Sequence, residues 1–434
     1  MRNRTAASFI CILLALAPIA AQAAEPAYQL AVATDRPEAL YSVGQKAKFL
    51  VTLRKDGQAA ADAEVAWVLD KDGMPPVRQG KLRLENGTGA IAGTLAEPGF
   101  LICRVTYTVA EKQQVSALAG AGFDPLTIRP SLPPPDDFDA FWAAQKARLA
   151  AVPMKPALAA VTSPVQGVEC FEVQVPCVPP RPVSGHFARP AGAARKSLPA
   201  ILWVHAAGVY SSSLGNAAAQ AKEYGALAMD FNAHGIANGQ PAEFYKALGE
   251  GELAGYAHSD REDREKSYFL GMFLRLERAI QFITGQPEWN GKALVVWGSS
   301  QGGGQSVVAA GLDPRVTLIS AGVPAMCDHS GKVVGRANGW PRLVPDADGK
   351  PDPKALQAAR YFDAMSFAAR AKAEAIFSVG FVDGTCPPTS VYAAYNAWPG
   401  RKQIVNEPLM GHEVSRKLMQ IMAAAIKEHI AARK

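Results

Sequence analysis

Five residues restrict what this chain can fold into more than any others: Gly298-Ser299-Ser300-Gln301-Gly302, set between the apolar run 293–297 and the small-residue run 303–311. The pattern predicts a strand, a sharp turn and a helix start, with Ser300 at the apex. Such a nucleophile elbow strains the serine backbone so that its hydroxyl stands clear of the sheet. Glycine is needed two places before and two places after, because a side chain there would collide with the neighbouring strand or helix. The bare pentapeptide recurs by chance, and the flanking strand and helix patterns supply the context that makes it a serine acyl hydrolase signature.

A serine hydroxyl is a poor nucleophile at neutral pH. It needs a base to take its proton and an acid to orient that base. On α/β-hydrolase scaffolds the three follow in the chain order serine, acid, histidine. Asp383, in Gly380-Phe381-Val382-Asp383-Gly384 after the apolar run 375–379, is the expected acid. His412, in Gly411-His412-Glu413 between the last short strand pattern at 403–405 and a helix starting near Ser415, is the expected base. Taken alone, Asp383 reads as a turn aspartate and His412 as a loop histidine; placement after strands favours catalysis. Asp328, following the run 316–320, is the alternative acid. His205 and His329 precede or crowd the elbow, while His186, His234, His258 and His429 lack the late placement. The oxyanion of an acyl-transfer intermediate needs two donors. The backbone N–H of Gln301 at the helix start is one; the other is placed in the loop His205-Ala206-Ala207-Gly208, at Ala207, with Ala206 as the alternative.

The rest of the chain reads as two domains behind a leader. Arg2 and Arg4, an apolar stretch 9–17 and Ala21-Gln22-Ala23 predict a secretory signal over residues 1–23, and hence an exported, periplasmic or extracellular protein. After it no apolar run is long enough to predict a membrane span. Losing the two arginines takes the net charge from +6 to +4, with no basic run, so nucleic acid is not an expected partner. Cys103, Cys170, Cys177, Cys327 and Cys386 remain, an odd number, so at least one thiol is free or pairs with another chain. Cys170 and Cys177 offer a bridge across a bend or, alternatively, two unpaired thiols; no cysteine pair has zinc-site spacing.

Residues 24–129 show period-two alternation broken by Lys55-Asp56-Gly57, Lys71-Asp72-Gly73 and Asn86-Gly87. Six or seven antiparallel strands in a small immunoglobulin-like sandwich are expected. The proline-rich segment 130–135 predicts a stiff linker. Asp136-Asp137 then cap a helix with Phe138, Phe141, Trp142 and Leu149 on one stripe, Trp142 being read as a packing residue. Over 136–434 strands near 198–204, 226–231, 293–297, 316–320, 375–379 and 403–405 alternate with helices, one of them at 267–283. This predicts an α/β-hydrolase fold, a mostly parallel sheet with helices on both faces and its site beyond the strand carboxyl ends.

From about residue 136 onward the chain resembles the acetyl xylan esterase and cephalosporin C deacetylase family, carbohydrate esterase family 7. The likeness rests on Gly298-Ser299-Ser300-Gln301-Gly302-Gly303-Gly304, on Asp383 with Cys386-Pro387-Pro388, on Gly411-His412-Glu413 and on Phe141-Trp142. The resemblance implies removal of O-acetyl groups from acetylated oligosaccharides or other small acetyl esters through an acetyl-enzyme, with no cofactor and no metal. It puts the triad on Ser300, Asp383 and His412. Two departures stand out: Asn232-Ala233-His234-Gly235 occupies the place of an Arg-Gly-Gln run, and the loop after His205 differs from His-Gly-Tyr. Trp340 and Trp398 are candidates either to stack on a sugar or to pack. A peptidase or other acyl hydrolase on the same fold is the alternative activity, and a glycan-binding protein with an inert hydrolase domain the alternative class. Oligomeric state is not set by these residues.

Overall fold

The alternation between Tyr28 and Phe123 resolves into two facing sheets. One holds Tyr28–Thr34, Ala47–Lys55, Gln58–Ala59 and Thr88–Gly93; the other holds Leu40–Tyr41, Gln113–Phe123, Gly99–Ala110, Glu64–Lys71 and Arg78–Arg83. The computed structural model describes residues 28–110 and 113–433, so the expected signal at 1–23 lies outside the described residues. Nine strands form where six or seven were expected, because Leu40–Tyr41 and Gln58–Ala59 are two residues long and too short to show alternation. Phe49, Val51 and Leu53 of one sheet meet Cys103, Val105, Ala119 and Ala121 of the other in a dry core.

Asp56-Gly57 and Asn86-Gly87 are two-residue hairpin turns, closed by the pairs Lys55–Gln58 and Glu85–Thr88, with positive φ at all four central residues. Lys71-Asp72-Gly73 behaves differently. The strands it separates pair only as far as Leu69–Arg78, and Asp72 is buried.

The segment 129–135 lies along the second domain: the Ser131 N–H and hydroxyl both donate to Asp328, and Arg336 donates to the Arg129 carbonyl. The helix Phe138–Ala150 follows and buries Phe138, Phe141, Trp142 and Leu149 as expected, but Asp137 makes no side-chain cap. Its carboxylate is taken instead by the Tyr361 hydroxyl and Arg264.

A nine-stranded sheet forms the second domain, in the order Ala157–Val161, Val168–Val175, Val183–Pro190, Leu227–Asn232, Leu198–Val204, Trp289–Ser299, Leu318–Gly322, Glu374–Gly380 and Lys402–Glu407. The first four are antiparallel neighbours and the rest are parallel. Successive residues along a strand point to opposite faces. Ile201, Val295 and Leu318 therefore pack under the helix Arg416–Ala431, while Leu202, Val296 and Ile319 pack under Tyr268–Thr284 and Gln301–Leu312. Trp398 is a core residue, not a sugar platform: it is 1% exposed, donates its indole N–H to the Ala373 carbonyl and meets Phe377 edge-on. All five cysteines of the described residues are unpaired and buried, so Cys170 and Cys177 form no bridge. No helix of the described residues is long and apolar enough to cross a membrane.

Candidate active site

The central strand Trp289–Ser299 ends in a turn at Ser300, whose φ of 56° and ψ of −122° are unfavourable for any residue with a side chain. The surroundings force that geometry. A Cβ on Gly298 would lie 2.6 Å from the Val204 carbonyl oxygen, and one on Gly302 would lie 2.2 Å from the same atom. The turn is pinned by the Ser300 N–H on the Gly322 carbonyl at 2.8 Å and by the Ala325 N–H on the Ser300 carbonyl at 2.9 Å.

Two loops from neighbouring strands converge on the Ser300 hydroxyl. His412 Nε2 lies 2.8 Å from Ser300 Oγ, and its Nδ1 lies 2.8 Å from Asp383 Oδ2. A carboxylate only accepts, so Nδ1 carries the proton and Nε2 is free to accept from the serine. Asp383 is 1% exposed, and its Oδ1 accepts from the N–H groups of Thr385 and Cys386, each at 2.8 Å. Gly380 lets the loops approach: a Cβ there would sit 2.3 Å from the Met410 carbonyl oxygen. Asp328, the alternative acid, faces Ser131 and Arg336 instead of His412. Asp383, Cys386 and His412 place ligand-type atoms within 4.8 Å of one another. Both carboxylate oxygens of Asp383 already accept hydrogen bonds, and burial pushes the Cys386 thiol well up.

The opposite wall of the site is the loop after Leu198–Val204. Ala206 and Ala207 line a cleft of about 510 Å³ together with Ser300, Trp340, His412 and Val414. Gln301 heads the helix Gln301–Leu312, where backbone N–H groups lack intrahelical partners. Sequence reasoning missed what holds this loop. The Tyr256 hydroxyl accepts from the Gly208 N–H at 3.4 Å and donates to Gln301 Oε1 at 2.7 Å, so one side chain joins the loop to the elbow. His234 Nε2 donates to the Gly208 carbonyl at 2.9 Å, and its Nδ1 accepts from the Tyr268 hydroxyl at 2.7 Å. Burial pulls the His234 imidazole down to about 4, which keeps it neutral in that tautomer. His205 is anchored by a hydrogen bond to buried Asp230, which also accepts from Ser213 N–H and the Asn216 amide. His234 stands where the expected Arg-Gly-Gln run is interrupted, so the departure marked the place without revealing the bond.

Trp340 is half-buried in the cleft wall, edge-on to Phe269. Of the two tryptophan candidates, it alone reaches the site.

Comparison with known proteins places this geometry in a family. Residues 125–429 match the family model described as Acetyl xylan esterase (AXE1). The chain is 29% identical over 377 residues to the acetyl esterase Axe7A of Xylanibacter ruminicola, covering 86% of this chain and 84% of that protein. Among solved structures, the acetyl xylan esterase from Paenibacillus sp. R4 superposes with a TM-score of 0.61 at 26% identity, over 70% of this chain and 98% of that one. Acetyl xylan esterase 1 from Thermoanaerobacterium sp. JW/SL YS485 shares the fold, with a TM-score of 0.58 at 23% identity over 70% and 97% of the two chains.

Proposed function

The chain belongs to the acetyl xylan esterase family and is a serine carboxylic-ester hydrolase of that kind, and we propose that it is an exported enzyme removing O-acetyl groups from acetylated oligosaccharides through Ser300, His412 and Asp383. The observation that carries the mechanism is the unbroken relay from Ser300 Oγ through His412 to Asp383, with both links at 2.8 Å, opening onto a cleft. His412 Nε2 takes the hydroxyl proton as Ser300 Oγ attacks the acetyl carbonyl carbon. The carbonyl oxygen becomes an oxyanion between the N–H groups of Gln301 and Ala207. Collapse expels the sugar alkoxide, which leaves with the proton from His412, and an acetyl-serine remains. Water then attacks with His412 as base, and acetate departs as Ser300 recovers its proton. Asp383 stays ionised, holding the imidazole tautomer and stabilising its cation. The placement of the second donor in this loop is supported by Ala206 and Ala207 lining the same cleft as Ser300.

The acetylated-sugar reading is supported by the family's description as acetyl xylan esterase and by the Trp340 side chain lining the cleft beside Ser300. Trp340 then forms part of the sugar site, so Trp340→Ala is expected to raise KM for acetylated xylo-oligosaccharides about tenfold and leave p-nitrophenyl acetate little changed. Equal effects on both substrates would remove Trp340 from sugar recognition. Export rests on the leader-like pattern of residues 1–23 and is checked by finding the mature N terminus near Ala24 outside the cytoplasm.

The reading as a whole is tested by acetate release from acetylated xylo-oligosaccharides and other acetylated glycans, set beside p-nitrophenyl esters of increasing chain length and a peptide amide. Stoichiometric fluorophosphonate labelling lost in Ser300→Ala is the expected companion result. Preference for the long ester or the amide would overturn the acetyl assignment, and an unlabelled wild type would overturn the mechanism.

A further inference from the structure

The loops that carry Asp383 and His412 leave adjacent strands at one edge of the nine-stranded sheet, Glu374–Gly380 and the outermost Lys402–Glu407. They are paired to each other, through the Phe381 N–H on the Glu407 carbonyl at 3.0 Å and the Val382 N–H on the Met410 carbonyl at 3.2 Å. An edge strand has its own sheet on one side only, so whatever lies on the other side decides how firmly its loop is held. Here the neighbour is the sandwich: Leu40, Tyr41 and Asp124 share a cleft with Lys402, Ile404 and Asn406.

Three sandwich residues reach past that edge, two to the loops themselves and one to the helix that follows the acid loop. Gly120 donates its N–H to the Pro408 carbonyl at 3.0 Å, four residues before His412. The same glycine is pressed against the acid loop, since a Cβ on it would lie 2.5 Å from Phe381 Cβ and 2.7 Å from the Phe381 carbonyl oxygen. Phe100 points away from the sandwich interior and packs into the hydrolase core. Its ring meets Phe381 edge-on at 4.8 Å and Tyr392 at 5.4 Å. Asp72, buried at this junction, accepts from the Thr389 hydroxyl. Thr389 lies in the first turn of the helix Pro388–Ala397, whose own N-cap, Pro387, provides no side-chain acceptor. The sandwich thus places a buried carboxyl group against the first turn of a helix that has no side-chain cap of its own. That helix begins two residues after Cys386, which with Thr385 donates the N–H groups that hold the Asp383 carboxylate.

We propose that the N-terminal sandwich is a positioning domain for catalysis, fixing the Asp383 and His412 loops against each other through Asp72, Phe100 and Gly120. The proposal rests on the catalytic reading given above. A tethered spacer or an independent glycan-binding module would need none of these contacts. A glycine seated on loop backbone and a carboxylate buried at a foreign helix end are instead what a rigid brace requires. Hydrolysis is sensitive to such bracing, because a shift of about 1 Å in a reacting group can cost roughly 100-fold in rate.

The test uses the full chain with Gly120→Val, the milder Gly120→Ala and Phe100→Leu, and the pair Asp72→Ala and Asp72→Asn. Each is assayed on p-nitrophenyl acetate and titrated to completion with a fluorophosphonate, which counts competent sites apart from their speed. Expected are kcat values roughly 10- to 100-fold lower in Gly120→Val, with KM within about twofold and one site labelled per chain. Gly120→Ala and Phe100→Leu should show smaller losses of the same kind. Asp72→Ala should lose rate, whereas Asp72→Asn, which keeps an acceptor for Thr389, should recover most of it. Wild-type kcat in Gly120→Ala, Phe100→Leu and Asp72→Ala together would overturn the proposal. So would rate losses that merely follow a fall in the number of titratable sites. Ser300→Ala, run alongside, separates the two claims: if it retains activity, the catalytic reading fails first, and if it is dead while the sandwich variants are normal, only the brace fails.

Discussion

The two walls of the catalytic cleft are held by different physics. The proposed oxyanion wall, residues 205–208, is fixed from within the hydrolase domain by a directional polar network. Tyr256 and His234 grip the two backbone polar groups of Gly208, its N–H and its carbonyl, and Asp230 grips His205. The wall bearing the acid and base is fixed from outside, by packing of Phe100 and Gly120 and by one buried carboxylate of the sandwich. A polar network loses its geometry in discrete steps when one member is removed, because each buried partner left behind is unsatisfied. A packed interface gives way more gradually and tolerates small changes of shape. The nucleophile at the apex of its elbow belongs to neither wall; it is set by the strand, the helix and two glycines.

The largest effect expected lies on the acid–base wall itself. Asp383→Asn should lower kcat by about four orders of magnitude with little change in melting temperature, since an amide imposes the wrong imidazole tautomer. A near-normal rate would mean that the wall acts through some other acid. Next is the oxyanion wall: Tyr256→Phe removes both the acceptor for Gly208 N–H and the donor to Gln301 Oε1, and kcat is expected to fall about 100-fold with KM nearly unchanged. His234→Leu should behave similarly. His234→Gln should restore most of the rate, because an amide can donate to the Gly208 carbonyl and accept from Tyr268. If Tyr256→Phe were silent while Gly120→Val was slow, the polar wall would be shown to need no support and the contrast would disappear.

These differences also explain what was legible in the sequence. That Ser300, Asp383 and His412 meet follows from a local turn motif and from chain order on an alternating strand–helix pattern, both written into contiguous residues. The Ala206-Ala207 wall could be read because it follows a strand beside the elbow. Asp72 could not, because Lys71-Asp72-Gly73 has the composition of a solvent-facing hairpin turn, and its side-chain partner, Thr389, lies 317 residues away. Gly120 carried a weaker signal: glycine inside a strand marks close approach of other backbone, yet nothing in the strand says that the approaching chain is Phe381. Trp398 shows the converse, an aromatic in a segment between strands that tertiary packing turned into core.

The smallest expected effect sets the two walls against each other by pH. Burial holds His234 near 4, against an ordinary 6.5, so its contribution to stability is present above about 6.5 and is lost as pH falls through 4. Burial holds Asp72 near 7, against 3.8, so its contribution is present below 3.8 and is lost as pH rises through 7. Buried His329 shares the first sign, while Asp363 and Glu277 share the second, so the wild-type curve alone cannot separate the walls. Near-isosteric variants can. The melting temperature of His234→Gln relative to wild type should climb as pH drops from 6.5 towards 4. That of Asp72→Asn relative to wild type should climb as pH rises from 4 towards 8, each by about 2–4 °C. Opposite slopes would mean that acid loosens the oxyanion wall while alkali loosens the brace, leaving an intermediate window in which both are firm. Slopes of the same sign would show that at least one of these groups is not buried in the form its surroundings impose.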